Sequence, residues 1–207
     1  MSIQTPLFEG QQIRFTAFDY DKDPQIESQW THNPTYLRML GADIARPLAA
    51  EQVKKKYEEI EKEEDEKRNL FYFAIRTRSE EDREEERLIG FARLYWIEWS
   101  NATGNVQVGI GNPDDRERGY GSEAVHMLLR FAFDELNLFR LTALIPEYNQ
   151  AARHLFERAG FSQEVRRRQA LQRDGRRWDM LHMGILRQEW ERQQNSSLTS
   201  EEATKSA

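Results

Sequence analysis

The chain reads as an α/β (α+β) protein, a mixed central sheet of about seven strands with helices on both faces. Three observations carry that reading. Residues 106–124 run from an apolar strand through a glycine-containing loop into an amphipathic helix. Aromatic-rich strand-like segments, residues 70–77 and 88–99, precede them. A further strand, a helix and two strands around the hairpin signal Asp174-Gly175 follow.

Residues 12–18 alternate as a strand, with Ile13, Phe15 and Ala17 against Arg14 and Thr16. Asp21-Lys22-Asp23-Pro24 reads as a helix start, with Pro24 tolerated in the first turn. That helix is expected to pass Ile26 and Trp30 and to stop before Pro34. Residues 36–46 read as irregular. Residues 47–68 read as a helix with a thin apolar stripe of Leu48, Val53, Tyr57 and Ile60, its charged end a solvated face. Residues 78–87 form a charged hairpin loop and 101–105 a turn. Beyond the glycine loop, Ala124, Val125, Leu128, Leu129, Ala132, Phe133 and Leu136 recur at helical spacing. Residues 139–145 read as a strand, and 149–160 as a helix capped by Gly160. Strands at 163–172 and 176–186 close the sheet, and one or two more helical turns follow Arg187. One domain spans 12–190, with an N-terminal extension at 1–11. Residues 191–207 form a tail, small, polar and expected to be disordered from Asn195 on.

The loop Arg116-Glu117-Arg118-Gly119-Tyr120-Gly121 carries the first chemical signal. A helix start leaves backbone N–H groups unpaired at the positive end of the helix dipole, and Gly119 and Gly121 let a phosphate come close. Gly119, Gly121 and Ala124 also match a dinucleotide fingerprint, but the polar residues 114–118 before them do not suit a buried strand. The bland alternative is a tight turn into a helix.

Composition narrows the classes. A net charge of -6 over 207 residues argues against a nucleic-acid binder. No apolar run reaches the ~18 residues of a membrane span, and Met1-Ser2-Ile3-Gln4 does not open a signal peptide. The absence of cysteine excludes disulfides and thiolate chemistry. His32, His126, His154 and His182 have no metal-ligand spacing, so no metal is expected. The expected location is cytoplasmic.

Two motifs together resemble the GNAT family of N-acetyltransferases. Its pyrophosphate loop, Q/R-x-x-G-x-G/A, is matched by Arg116, Gly119 and Gly121. Its second motif, N-x-x-A-x-x-L-(Y/F)-x-x-x-G-F, is matched by Asn149, Ala152, Leu155, Phe156, Gly160 and Phe161. Their separation by one helix and one strand fits too. The resemblance covers residues 12–190 and is greatest to the ribosomal-protein N-terminal acetyltransferases of the RimJ/RimL type and the related spermidine acetyltransferases. It implies a mostly antiparallel sheet and acetyl-CoA as donor, with transfer to a primary amine, a protein N-terminus or a small amine, by direct attack. The donor would lie on Val108, Ile110, Arg116, Arg118, Gly119, Tyr120, Gly121, Ser122, Asn149 and Phe156. Trp30, Tyr36 and Arg38 would line the acceptor site, with core packing as the alternative for each. Relatives are often dimers through the sheet edge.

Two positions depart from the family pattern. Gln107 stands where relatives often carry glutamate, and can only position water or the amine. Phe156 stands where many carry a tyrosine that protonates the leaving thiolate. Tyr148 is the replacement candidate at the site, with Glu147, Tyr120 and Tyr95 nearby. These departures motivate the alternative of a non-catalytic acyl-CoA-binding module of the same fold.

Overall fold

The computed structural model describes residues 6–78 and 86–195. One seven-stranded sheet runs in the order β1 (Ile13–Thr16), β2 (Phe71–Thr77), β3 (Leu88–Glu98), β4 (Thr103–Ile110), β5 (Arg140–Pro146), β7 (Arg176–Leu186), β6 (Ser162–Arg173). Every neighbouring pair is antiparallel except β4 with β5. That parallel pair is joined only at Thr103–Arg140, Gly104–Leu141 and Asn105–Thr142. Beyond Asn105 the two strands part, and the edge of β4 that faces β5 is left without sheet hydrogen bonds.

Helices cover both faces. On one side lie α1 (Asp23–Thr31), α2 (Pro34–Leu40) and α3 (Ala50–Lys67). On the other, α4 (Tyr120–Arg130) buries Ala124, Val125, Leu128 and Leu129 against strands from both halves of the sheet, and loosens into a π-turn over Phe131–Glu135. Next to it, α5 (Gln150–Arg158) buries Phe156 edge-on against Phe161, ring centres 5.0 Å apart. A last helix, α6, covers 187–195, and its Trp190 packs on Phe133.

Several boundaries differ from the sequence expectation for identifiable reasons. Pro34 stops α1 but also starts α2, which occupies part of the stretch read as irregular. Asn33 caps that helix by accepting from the Thr35 N–H at 3.0 Å, and Pro34 fills its first position. The turn between β3 and β4 falls at residues 99–102, with Ala102 at φ 50°, so β4 starts at Thr103. Residues 191–195, read as tail, are helical. The expected disorder at 196–207 and most of the loop at 79–85 lie outside the described residues. The hairpin at Asp174-Gly175 forms as expected, with both residues at positive φ, 51° and 71°.

Candidate active site

The glycine loop stands at the mouth of the opening between β4 and β5. Its 3-10 turn, Pro113–Asp115, starts from Asn112, whose side chain accepts from the Asp114 N–H. Asp115 is buried and held by both terminal nitrogens of Arg87, at 2.7 and 2.5 Å. The Arg116 guanidinium turns back to the carbonyls of Ile110 and Gly111, at 3.4 and 3.2 Å, and so ties the loop to the end of β4. Glu117 and Gly119 both have positive φ, 61° and 91°. Gly119 is the residue the turn requires, since a side chain there would be strained.

The first backbone bond of α4 runs from the Glu123 N–H to the Gly119 carbonyl. The N–H groups of the preceding turn therefore have no carbonyl within the helix, and the helix dipole makes them an anion cradle. Glu123 would oppose an anion there. Its carboxylate instead accepts from the Gln11 and Gln12 N–H groups. The side chains of Val108, Ile110 and Tyr120 pack against the core and hold strand and helix together under the opening.

The end of α2 is fastened across the same opening. Gln107 Nε2 on β4 donates to the Leu40 carbonyl at 2.5 Å. Beyond β5, Asn149 Nδ2 donates to the Met39 carbonyl at 2.9 Å and Tyr148 Oη to the Arg38 carbonyl at 2.7 Å. Three consecutive carbonyls that a helix end leaves unpaired are thus satisfied from both banks of the split. Asn149 also caps α5, accepting from the Ala152 N–H at 3.0 Å. The tip of the β6–β7 hairpin closes over this region: Arg173 donates to the carbonyls of Ala42 and Asp43, and Arg38 pairs with Asp174 at 3.1 Å.

The other sequence-selected residues fall as follows. Trp30 and Tyr36 are 9% and 3% exposed and pack together beneath α2. Trp30 lies on the backbone of Gly111, where any Cβ would sit 2.0 Å from its ring. The Tyr36 hydroxyl is buried without a hydrogen-bond partner, and burial raises its pKa well above the ordinary value. Phe156 belongs to the core under α5. The structure brings Gln107, Tyr148, Asn149 and Arg38 together around the end of α2. It places the side chains of Trp30, Tyr36 and Phe156 in packing positions.

Sequence reasoning passed over a buried cluster behind this site. Glu27 accepts from Lys56 Nζ at 2.7 Å and from Tyr57 Oη at 2.5 Å, with Tyr72 3.4 Å from the same ammonium. Burial pushes the phenols of Tyr57 and Tyr72 far up, reinforced by the Glu27 charge. The available signal was a charged residue on the buried face of α1. Among the described residues no acidic, histidine or cysteine cluster could hold a metal.

These features define an α/β domain with an anion cradle opening onto a slot in its own sheet. Residues 12–162 match the model of the acetyltransferase (GNAT) domain, and the chain belongs to that family. The uncharacterised N-acetyltransferase YnaD of Bacillus subtilis (strain 168) is 28% identical over 81 residues, 39% of this chain and 48% of that protein. The N-acetyltransferase 9-like protein of Caenorhabditis briggsae is 33% identical over 84 residues, 38% of this chain and 42% of that protein. The matched regions span about half the length of the curated relatives. The spermidine N-acetyltransferase from Vibrio cholerae, solved with CoA and spermine, superposes with a TM-score of 0.72 at 19% identity, covering 86% of this chain and 98% of that one. That likeness establishes the shared fold.

Proposed function

We propose that the protein transfers an acetyl group from acetyl-CoA to a primary amine, a protein N-terminus or a small amine. The observation that carries this is the coincidence of the anion cradle with the parting of β4 from β5. The residues present fit the donor: unpaired N–H groups at the start of α4 for its pyrophosphate, and an open strand edge on β4 for its pantetheine amides. Acetyl-CoA would supply the acetyl group as a thioester.

The chain's own residues bind and orient. A backbone N–H near Ile110 would polarise the thioester carbonyl as the amine nitrogen attacks it and the carbon–sulfur bond breaks. Gln107, Tyr148 and Asn149 hold the end of α2 as the wall on the acceptor side. Gln107 and Tyr148 spend their donor groups on α2 carbonyls, and Phe156 has no hydroxyl. Glu147 is held by Arg166, so the proton leaves the amine and reaches the thiolate through water or through Tyr120 or Tyr95. The same fold in a module that only binds acyl-CoA would show binding without turnover. No helix among the described residues is long and apolar enough to cross a membrane.

The test is calorimetric titration with acetyl-CoA, CoA and NAD, followed by a thiol-release assay over amines and N-terminal peptides. Micromolar acetyl-CoA binding with thiol release on any one amine supports the reading. Failure to bind acetyl-CoA overturns it, and binding without release on the whole panel favours the binding module.

A further inference from the structure

We propose that Arg93 makes the acceptor site selective for amines that carry an anionic group, a carboxylate or a phosphate, close to the reacting nitrogen. This rests on the acetyl-transfer reading above and deepens it.

The position comes from strand register. Arg93 on β3 lies directly opposite Gln107 on β4 and opposite Tyr72 on β2. Directly opposed residues share a face of the sheet, and this is the face on which Gln107 reaches the end of α2. Arg93 is therefore one strand spacing, ~4.8 Å, from the strand that borders the opening. An arginine side chain is longer than that spacing.

Arg93 and Arg130 are the half-buried arginines with a buried, unpartnered Nε and no ion pair or hydrogen bond among the described residues, and of the two Arg93 shares the sheet face of Gln107. The major buried carboxylates on the α1–α3 side and in the loop already have cations: Glu27 has Lys56, Asp23 has Arg76, and Asp115 has Arg87. At the hairpin, Asp174 has Arg38, and Glu147 and Asp179 share Arg166. Arg93 forms no ion pair among the described residues, although the Asp43 charge reaches the neighbouring Tyr95. Its guanidinium lies 4.5 Å from the centre of the Tyr95 ring, and its Nε is buried without a hydrogen-bond partner. A buried Nε–H without an acceptor is costly, and an anion at the guanidinium would supply one. The planar guanidinium fork suits two oxygens of one carboxylate or phosphate. A polyamine has no such group. It would also find Glu27 and Asp174 already paired, and would meet the charge of Arg93 itself.

The experiment compares acceptors matched except for charge. The pairs are a Ser-Asp peptide against its Ser-Asn counterpart, and O-phosphoethanolamine against ethanolamine, with spermidine as the polyamine. Each is measured by thiol release and by calorimetric binding to the CoA-saturated protein. The wild type is expected to favour at least one anionic member over its neutral partner by about 10–100-fold, the range a charge-assisted hydrogen bond supplies. Which pair responds separates carboxylate from phosphate. Arg93→Gln should abolish that preference and leave neutral acceptors within about threefold. Arg93→Lys should retain part of it. Because Arg93 holds no ion pair, both variants should melt near the wild type and bind acetyl-CoA unchanged. Equal binding of charged and neutral members by the wild type, a preference for spermidine, or a uniform loss over all acceptors in Arg93→Gln would overturn the assignment. Loss of acetyl-CoA binding by the wild type would instead strike the acetyl-transfer reading.

Discussion

Replacing Gln107 by glutamate tests whether its amide holds α2. The Nε2 donor is 2.5 Å from the Leu40 carbonyl, in a half-buried position. Glutamate keeps the shape, removes the donor and sets a carboxylate oxygen against a carbonyl oxygen. Leaving a partly buried carbonyl unpaired costs roughly 1–3 kcal/mol. For a chain of 207 residues, each kcal/mol lowers Tm by about 2–4 °C, so the expected drop at pH 7 is about 2–12 °C. The sign with pH follows from the same contact. A carboxyl that regains the hydrogen bond only when protonated has its folded pKa raised. The deficit is therefore full above the folded pKa and shrinks as pH falls toward and below it. Arg93 lies opposite Gln107 and would pair with a carboxylate there, so Gln107→Glu, Gln107→Leu and their common parent are melted at pH 7 and pH 4.5 in the Arg93→Gln background. The leucine variant should show a deficit that does not depend on pH. A Gln107→Glu melt equal to that parent at pH 7, or a deficit that grows in acid, would refute the reasoning.

Three further outcomes are expected. Tyr57→Phe removes a 2.5 Å bond to the buried Glu27 carboxylate and should cost about 1.5–3 kcal/mol in urea unfolding with an unchanged m-value. Gly111→Ala drives a methyl into the Trp30 ring and should cost about 1–3 kcal/mol by overpacking, read in the same assay. The pKa of His182 is lowered by burial and then by Arg167, so the unfolded chain binds the proton more readily. Stability should fall as pH drops below the ordinary histidine value of 6.5, and His182→Gln should lose less between pH 7.5 and 5.5 in denaturant titrations.

What the sequence made legible was local. The glycine turn before α4, the cap at Gly160 and the Asp174-Gly175 turn each rest on a few adjacent residues whose backbone needs are chemical, and Gly119, Gly160 and Gly175 all take positive φ. The start of α2 was local too, but Pro34 carries both a stop and a start, and the Asn33 cap decides between them. The split between β4 and β5 is a fact of pairing, and no alternation pattern records it. The fastening of α2 joins residues 67 and 110 positions apart, so Gln107 and Tyr148 could be selected only by analogy with a motif. Trp30 and Tyr36 are large residues near the site, and composition cannot distinguish a wall from the packing behind it. Arg93 drew no reading, because nothing nearby in sequence shows that the end of α2 meets the face it shares with Gln107.

The three-residue joint between β4 and β5 bears on how the molecule behaves in the cold. With so few backbone bonds across it, the two halves of the sheet are joined through one apolar cluster, which contains the buried residues of α4 together with Ile89, Ala92 and Val106 of one half and Leu141, Ala143 and Ile145 of the other. Such a seam is entropic in origin near room temperature, and its hold weakens on cooling while hydrogen-bonded ladders within each half persist. Cooling therefore weakens this seam more than it weakens the ladders within each half.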